Sequence, residues 1–212
     1  MLSFFKCYKK FDIVFLIISI IIVSIIYNKL NVYQPLPIYQ PAMVSTDLVD
    51  STIQYQKKYH KIADFKLTNQ NGKTITQNDY KDKIYVADFF FTRCQTICPI
   101  MANNMIKIQD AFKNDTEVLL LSHSVTPIMD SIPVLRAYAD KNGVNDAKWN
   151  ITTGTKKHIY DLARKSYFAV LDEGDGGAQD FIHTENFILV DTKRRIRGYY
   201  DGTNMEEINQ LI

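Results

Sequence analysis

The chain has 212 residues, a length that suits one domain with additions. Hydrophobic residues make up 46% and charged residues 23%, an ordinary globular balance that provides for a sizeable core. The net charge is only +2 and the basic residues are scattered, which argues against nucleic acid as a partner.

Residues 13–27, IVFLIISIIIVSIIY, form an uninterrupted apolar run. Counted from Phe11 the segment is 17 long, the low end for a membrane-spanning helix. Lys6, Lys9 and Lys10 precede it and only Lys29 follows closely, so the N-terminus is expected in the cytoplasm. The following residues, NKLNVYQPLP, lack a small-x-small cleavage site, which favours an uncleaved anchor over a signal peptide. The expected order is a cytoplasmic N-terminus at 1–10, a single transmembrane helix at 11–28 and the rest of the chain outside, where disulfides persist. Cys7 is then across the membrane from Cys94 and Cys98 and cannot be their resolving partner.

Residues 29–60 carry Pro35, Pro37 and Pro41 among mixed polar residues and read as an extended linker. A domain is expected over 61–212. It opens with a strand at 62–68, a turn at Asn69-Gln70-Asn71-Gly72 and a short strand at 73–76. The run 84–91, rich in Phe and Val, reads as a buried strand. A helix over 99–113 follows, with Met101, Met105, Ile108 and Phe112 on one face. Next come a strand at 117–125 and a helix capped by Ser131, with Pro133 inside it and Gly143 beyond its end. A strand at 147–152, a helix from Thr155 to about Ser166 and a short strand at 167–171 lead to an acidic, glycine-rich loop at 172–180. That loop is a mobile surface segment or a lid beside a site. A hairpin of 187–190 and 196–200 and a last helix after Thr203 close the domain. Strands alternating with helices mean an α/β fold with a mixed central sheet.

Two of the three cysteines, Cys94 and Cys98, lie between the central strand and its helix. Pro99 suits a first helical position, so Cys98 is the expected N-cap, extended, with Cys94 in the loop. The free N–H groups and dipole of the helix terminus lower a thiol pKa there. Such a pair can exchange as a dithiol/disulfide couple or hold a soft metal ion. Two merely structural cysteines are the plain alternative.

Four histidines are candidates for a further ligand. His60 precedes the domain and His158 lies beside two lysines, so both are expected to face solvent. His123, near a strand end, is a second choice to His183, which sits in a loop ahead of a buried strand, a common place for ligands. Asp88, inside an apolar strand, is a supporting group for the site or an acid bonded to backbone.

Several segments, in order, resemble the Sco/SenC family of membrane-anchored copper proteins that serve cytochrome c oxidase assembly. They are FKLTNQNGK from Phe65, DFFFTRCQTICP from Asp88, SHSVTPIMDSIPVL from Ser122, WNITTG from Trp149 and HTENFILVD from His183. The resemblance covers roughly 60–212. It implies a thioredoxin-like fold, with Cys94, Cys98 and His183 as copper ligands and a Cys94/Cys98 redox disulfide. It also implies a metallochaperone rather than an enzyme, at a bacterial cytoplasmic (inner) membrane with the soluble domain on the periplasmic or outer face. The partner would be subunit II of cytochrome c oxidase or another copper-accepting oxidase component. One departure is Thr126, where the family often has Asp before the proline. Two thiolates and an imidazole suit Cu(I), and the imidazole also helps to hold Cu(II). The rivals are a thiol–disulfide oxidoreductase that reduces a partner's cysteines and a redox or copper sensor. Thioredoxin-like enzymes use Cys-x2-Cys facing a cis-proline, whereas this chain has Cys-x3-Cys and no proline after Pro133.

Overall fold

Along β3 (Ile84–Phe90), Tyr85, Ala87 and Phe89 alternate with Val86, Asp88 and Phe90, and a strand's two-residue period sends the sets to opposite faces. The computed structural model describes residues 4–30, 35–49, 54–56, 60–170 and 180–212. β3 lies inside a seven-stranded mixed sheet of β1 (Lys66–Asn69), β2 (Thr74–Thr76), β3, β4 (Val118–Ser124), β5 (Trp149–Thr153), β6 (Asn186–Val190) and β7 (Ile196–Asp201). The spatial order is β2-β1-β5-β4-β3-β6-β7. β3, β4 and β5 run parallel, and the remaining pairs are antiparallel.

Each face carries its own core. Tyr85, Phe89, Leu121, Tyr160 and Tyr167 belong to one cluster. Val86, Phe90, Met101, Met105, Leu135 and Trp149 belong to the other, which also takes in Cys98. The second cluster is roofed by α2 (Ile97–Ala111), α3 (Ile132–Asn142) and α5 (Met205–Leu211), whose buried side chains it shares. Full burial of a large apolar side chain is worth about 1.5–3 kcal/mol, so both faces drive the sheet together. Gly143 ends α3 at φ 70°, a left-handed conformation in which glycine pays no side-chain penalty.

Two expectations are displaced. The first strand starts at Lys66 rather than 62, because the preceding backbone finds partners outside the ladder: Ile62 N–H donates to Arg194 O and Phe65 N–H to Gln77 Oε1. Residues 167–170 form no strand. The helix after Thr155 reaches Ser166 as expected: α4 (Lys156–Asp161) passes into a wider π turn at Leu162–Ser166, where Tyr167 N–H reaches Leu162 O. Of the acidic loop 172–180, residues 172–179, and with them its reading as a lid, lie outside the described residues.

The chain divides into two units, Met1–Leu36 and Pro37–Ile212. In the first, α1 (Phe4–Leu30) is a 27-residue helix whose large apolar side chains between 11 and 27 are exposed. Among the described residues no helix is long and apolar enough to cross a membrane. The second unit reaches back beyond the expected linker boundary at 61. Tyr39 N–H donates to Ile196 O at 2.9 Å, its ring meets Tyr199 edge-on, and Val49 is buried. Apolar residues in the proline-rich segment dock it on the domain. Residues 37–49 are therefore part of the fold.

Candidate metal centre

β3 delivers the chain to the loop 91–96, which turns back on itself: Cys94 N–H donates to Phe91 O at 3.3 Å. The loop is tied down by Asp130, which is fully buried. Its carboxylate accepts from Thr92 Oγ1 and Ser124 Oγ at 2.6 Å each and from Thr126 Oγ1 at 2.9 Å. Thr126, where the family pattern often has an acid, is thus half-buried and bonded to Asp130. No periodicity marks Asp130 in the sequence, because Thr92 reaches it only through the pairing of β3 with β4.

α2 starts two residues earlier than Pro99 implies. Thr96 is the N-cap, without a side-chain bond, so Cys98 is the second helical residue instead of an extended cap. Pro99 is tolerated at the third position because amides of the first turn have no partner within the helix. The sulfurs are brought together by the loop: Cys98 N–H donates to Cys94 Sγ at 3.4 Å, and Thr96 Oγ1 lies 3.6 Å from the same sulfur. Both cysteines are free thiols.

The two thiols differ in character. Slight burial works against ionisation of Cys94, but the Cys98 N–H, the Cys98 thiol and Thr96 outweigh it and bring its pKa down to about 7. Burial pushes the Cys98 thiol up to about 12, and neighbouring Cys94 and Asp88 add to the rise while Phe91 N–H opposes it. Cys94 and Cys98 line a cleft of about 550 Å³ bounded by Pro99, Val134 and Tyr138. Behind it Asp88 accepts a hydrogen bond from Ser122 Oγ, which in turn accepts from Trp149 Nε1 at 2.8 Å. Burial raises the Asp88 pKa to about 7, the Ser122 bond partly offsetting it. The strand acid thus bonds to a side chain behind Cys98.

The histidines separate cleanly. His123 is fully buried on the opposite face from Cys98, stacked on Phe89 at 5.0 Å, with its Nε2 unpartnered. Burial lowers its pKa to about 3. Adjacent residues of a strand face opposite ways, so His123 cannot turn to the thiols. His60 is half-buried rather than solvent-facing, with Nε2 2.6 Å from Ser166 O and its ring over Phe168. His158 Nε2 accepts from Lys66 N–H at 3.3 Å.

His183 is exposed between buried Ile182 and Thr184. It is not gathered with the cysteines: among the described residues no three His, Cys, Asp or Glu side chains form a group able to hold a metal ion. The register of the sheet brings its backbone to the end where β3 releases the cysteine loop. β6 pairs antiparallel to β3 through Tyr85↔Val190, Val86↔Leu189 and Ala87↔Ile188. Carried past the ladder, that register sets residue 183 opposite residue 92, two before Cys94. Arg93 and Phe181 line the same groove of about 420 Å³. The chain entering β6 and the chain leaving β3 therefore meet at one end of the sheet.

A mixed α/β sheet with a dithiol at the mouth of the helix after its central strand defines a thioredoxin-like protein with a Cys-x3-Cys-Pro site. The SCO1/SenC family model matches residues 53–211. The chain belongs to the SCO1/SenC family. It is 30% identical to the SCO1 protein homolog of Bacillus subtilis (strain 168) over 155 residues, 72% of this chain and 80% of that one. It is also similar in structure to BsSco, a member of the Sco family of cytochrome c oxidase assembly proteins in which a disulfide switch has been identified. There the TM-score is 0.61 and the identity 30%, covering 72% of this chain and 90% of that one. Copper-bound ScoI of Bradyrhizobium japonicum shares the fold, with a TM-score of 0.56 at 23% identity over 70% of this chain and 96% of that one.

Proposed function

We propose that this protein is a copper metallochaperone that assists maturation of the copper centre of cytochrome c oxidase, with Cys94, Cys98 and His183 as ligands. The observation that carries the reading is the pair of free thiols folded onto the first turn of α2 in a chain of this family. One of them is brought into range of ionisation at neutral pH, with a pKa of about 7, and two sulfur donors suit Cu(I). His183 would add the nitrogen donor that Cu(II) favours, and the β3–β6 register supports its approach to the thiols. The acceptor on this reading is subunit II or another copper-accepting oxidase component. An N-terminal anchor at 11–28, with the domain on the outer face of the bacterial cytoplasmic membrane, rests on the sequence: an apolar run with lysines on its N-terminal side.

The test is copper content and accessible thiols of the full-length protein, purified with and without reductant. The reduced protein is expected to bind one copper ion per chain. Oxidation is expected to remove the Cys94 and Cys98 thiols and abolish binding. Copper uptake that is unchanged in the oxidised protein would overturn the shared site.

The unequal thiols favour a second reading, reduction of a partner's disulfide. Cys94 thiolate would attack a partner sulfur, forming a mixed disulfide and releasing one partner thiolate. Cys98, losing its proton, would attack Cys94 Sγ and release the second partner thiol. The partner gains two electrons, and this chain is left with the Cys94–Cys98 disulfide.

A further inference from the structure

Arg164 and Asp180 form an ion pair in which each side chain is only 7% exposed. It is bidentate: Nη1 donates to Oδ2 and Nη2 to Oδ1, both at 2.7 Å. Burying such a pair is a poor source of stability, because desolvation cancels much of the attraction and apolar side chains of similar volume would hold the core as well. What the pair supplies is position. Arg164 stands in the π turn Leu162–Ser166 and lies over the Tyr160 ring, 5.4 Å from its centroid. Tyr160 Oη bridges the carbonyls of Val125 at 3.1 Å and Asp180 at 3.3 Å, and Lys156 Nζ donates to the same Asp180 carbonyl. Side chain and backbone of Asp180 are thus held together.

The next residue continues the chain of contacts toward the thiols. Phe181 meets Phe91 edge-on, with ring centroids 5.3 Å apart, and Phe91 opens the cysteine loop, its carbonyl accepting from Cys94 N–H. His183 follows Asp180 by three residues, a reach of about 10 Å at most in extended chain. Ile182, between them, is buried in the core.

We propose that Arg164 and Asp180 are positioning residues for His183, their buried ion pair fixing where residues 181–185 pass the cysteine loop and so how readily the imidazole joins the two sulfurs. The inference rests on the copper reading above and adds residues that touch no ligand. Losing the pair leaves the two-thiolate Cu(I) site intact and weakens the state that needs nitrogen, Cu(II).

The experiment compares full-length wild type with Asp180→Asn, Arg164→Lys, His183→Ala and the charge-free double variant Arg164→Met/Asp180→Leu. The double variant keeps the space filled should Asp180→Asn fail to fold. In metal-free protein, amide hydrogen exchange at 181–185 is expected to rise about tenfold in Asp180→Asn and the double variant, as local protection is lost. Their Cu(II) affinity is expected to fall about 10–100-fold, toward that of His183→Ala, with Cu(I) affinity under reductant unchanged. Arg164→Lys, retaining charge without the fork, is expected to fall between. Faster exchange with wild-type Cu(II) binding overturns the proposal, as does an equal fall in both copper states, which marks a general structural role. Wild-type Cu(II) binding by His183→Ala instead overturns the ligand assignment beneath it, and the exchange data alone then show whether the pair holds the segment.

Discussion

The backbone N–H of Cys98 donates to the sulfur of Cys94 at 3.4 Å, so the more exposed thiol rests on the first turn of the helix that contains the buried one. An N–H aimed at a sulfur stabilises its anion, and burial of the other sulfur disfavours a second charge. The pair is therefore built to carry one negative charge near neutrality.

That asymmetry sets the pH dependence of thiol reactivity. Cys94 has a pKa of about 7 and Cys98 of about 12. Thiolate is the nucleophile, so alkylation of Cys94 by iodoacetamide should be slow below pH 6, rise through pH 7 and level off above pH 8. Cys98 should stay nearly unreacted across that range. Peptide mapping after timed alkylation separates the two; equal rates at pH 7 would contradict the geometry.

His183→Ala should retain Cu(I), since Cys94 and Cys98 alone can hold it, and should lose Cu(II) affinity by at least about tenfold. His123→Ala is the control, because His123 faces the other side of the sheet within an aromatic cluster. Paired titrations, Cu(I) under reductant and Cu(II) without it, decide between them. A His123 variant that loses Cu(II) while the His183 variant does not would reverse the assignment.

Asp130 gathers three hydroxyl donors in a fully buried position. Asp130→Ala leaves those donors unsatisfied and should destabilise the domain by about 3 kcal/mol, read as a lower urea midpoint. Thr92→Val removes only one donor and should cost about 1 kcal/mol. It should also loosen the loop that places Cys94, seen as a higher Cys94 pKa in the alkylation profile.

Two buried groups pull the acid limb of stability in opposite directions. His123 has a folded pKa of about 3, below its usual 6.5, so its contribution is present above pH 6.5 and is lost as pH falls toward 3. Asp88 has a folded pKa of about 7, above its usual 3.8, so its contribution is present below pH 3.8 and is lost as pH rises toward 7. The stability difference between His123→Phe and wild type should therefore widen from pH 6.5 downward. The penalty of Asp88→Asn relative to wild type should grow as pH falls from 7. Denaturant unfolding at a series of pH values measures both, and parallel curves would show that the groups do not titrate on unfolding.

The dithiol loop was legible in the residues themselves. An apolar run, Cys-x3-Cys-Pro and an amphipathic stretch can hardly be read as anything but strand, loop and helix, because burial periodicity and proline chemistry act locally. The 187–190 and 196–200 hairpin was legible for the same reason. Which residue caps the helix was not, since Thr96 takes that place only once the loop folds back onto Asp130. Nor was the separation of the histidines: His123 and His183 both lie near strand ends, and only the pleat of β4 and the antiparallel register of β6 on β3 put one in the far core and bring the chain at the other to the end of the sheet where the cysteine loop leaves β3. The Arg164–Asp180 pair joins residues sixteen apart, and nothing in the sequence between them marks the two as partners. Local chemistry determined what each stretch would become. Long-range pairing, set by which faces could be buried together, decided which stretches would meet.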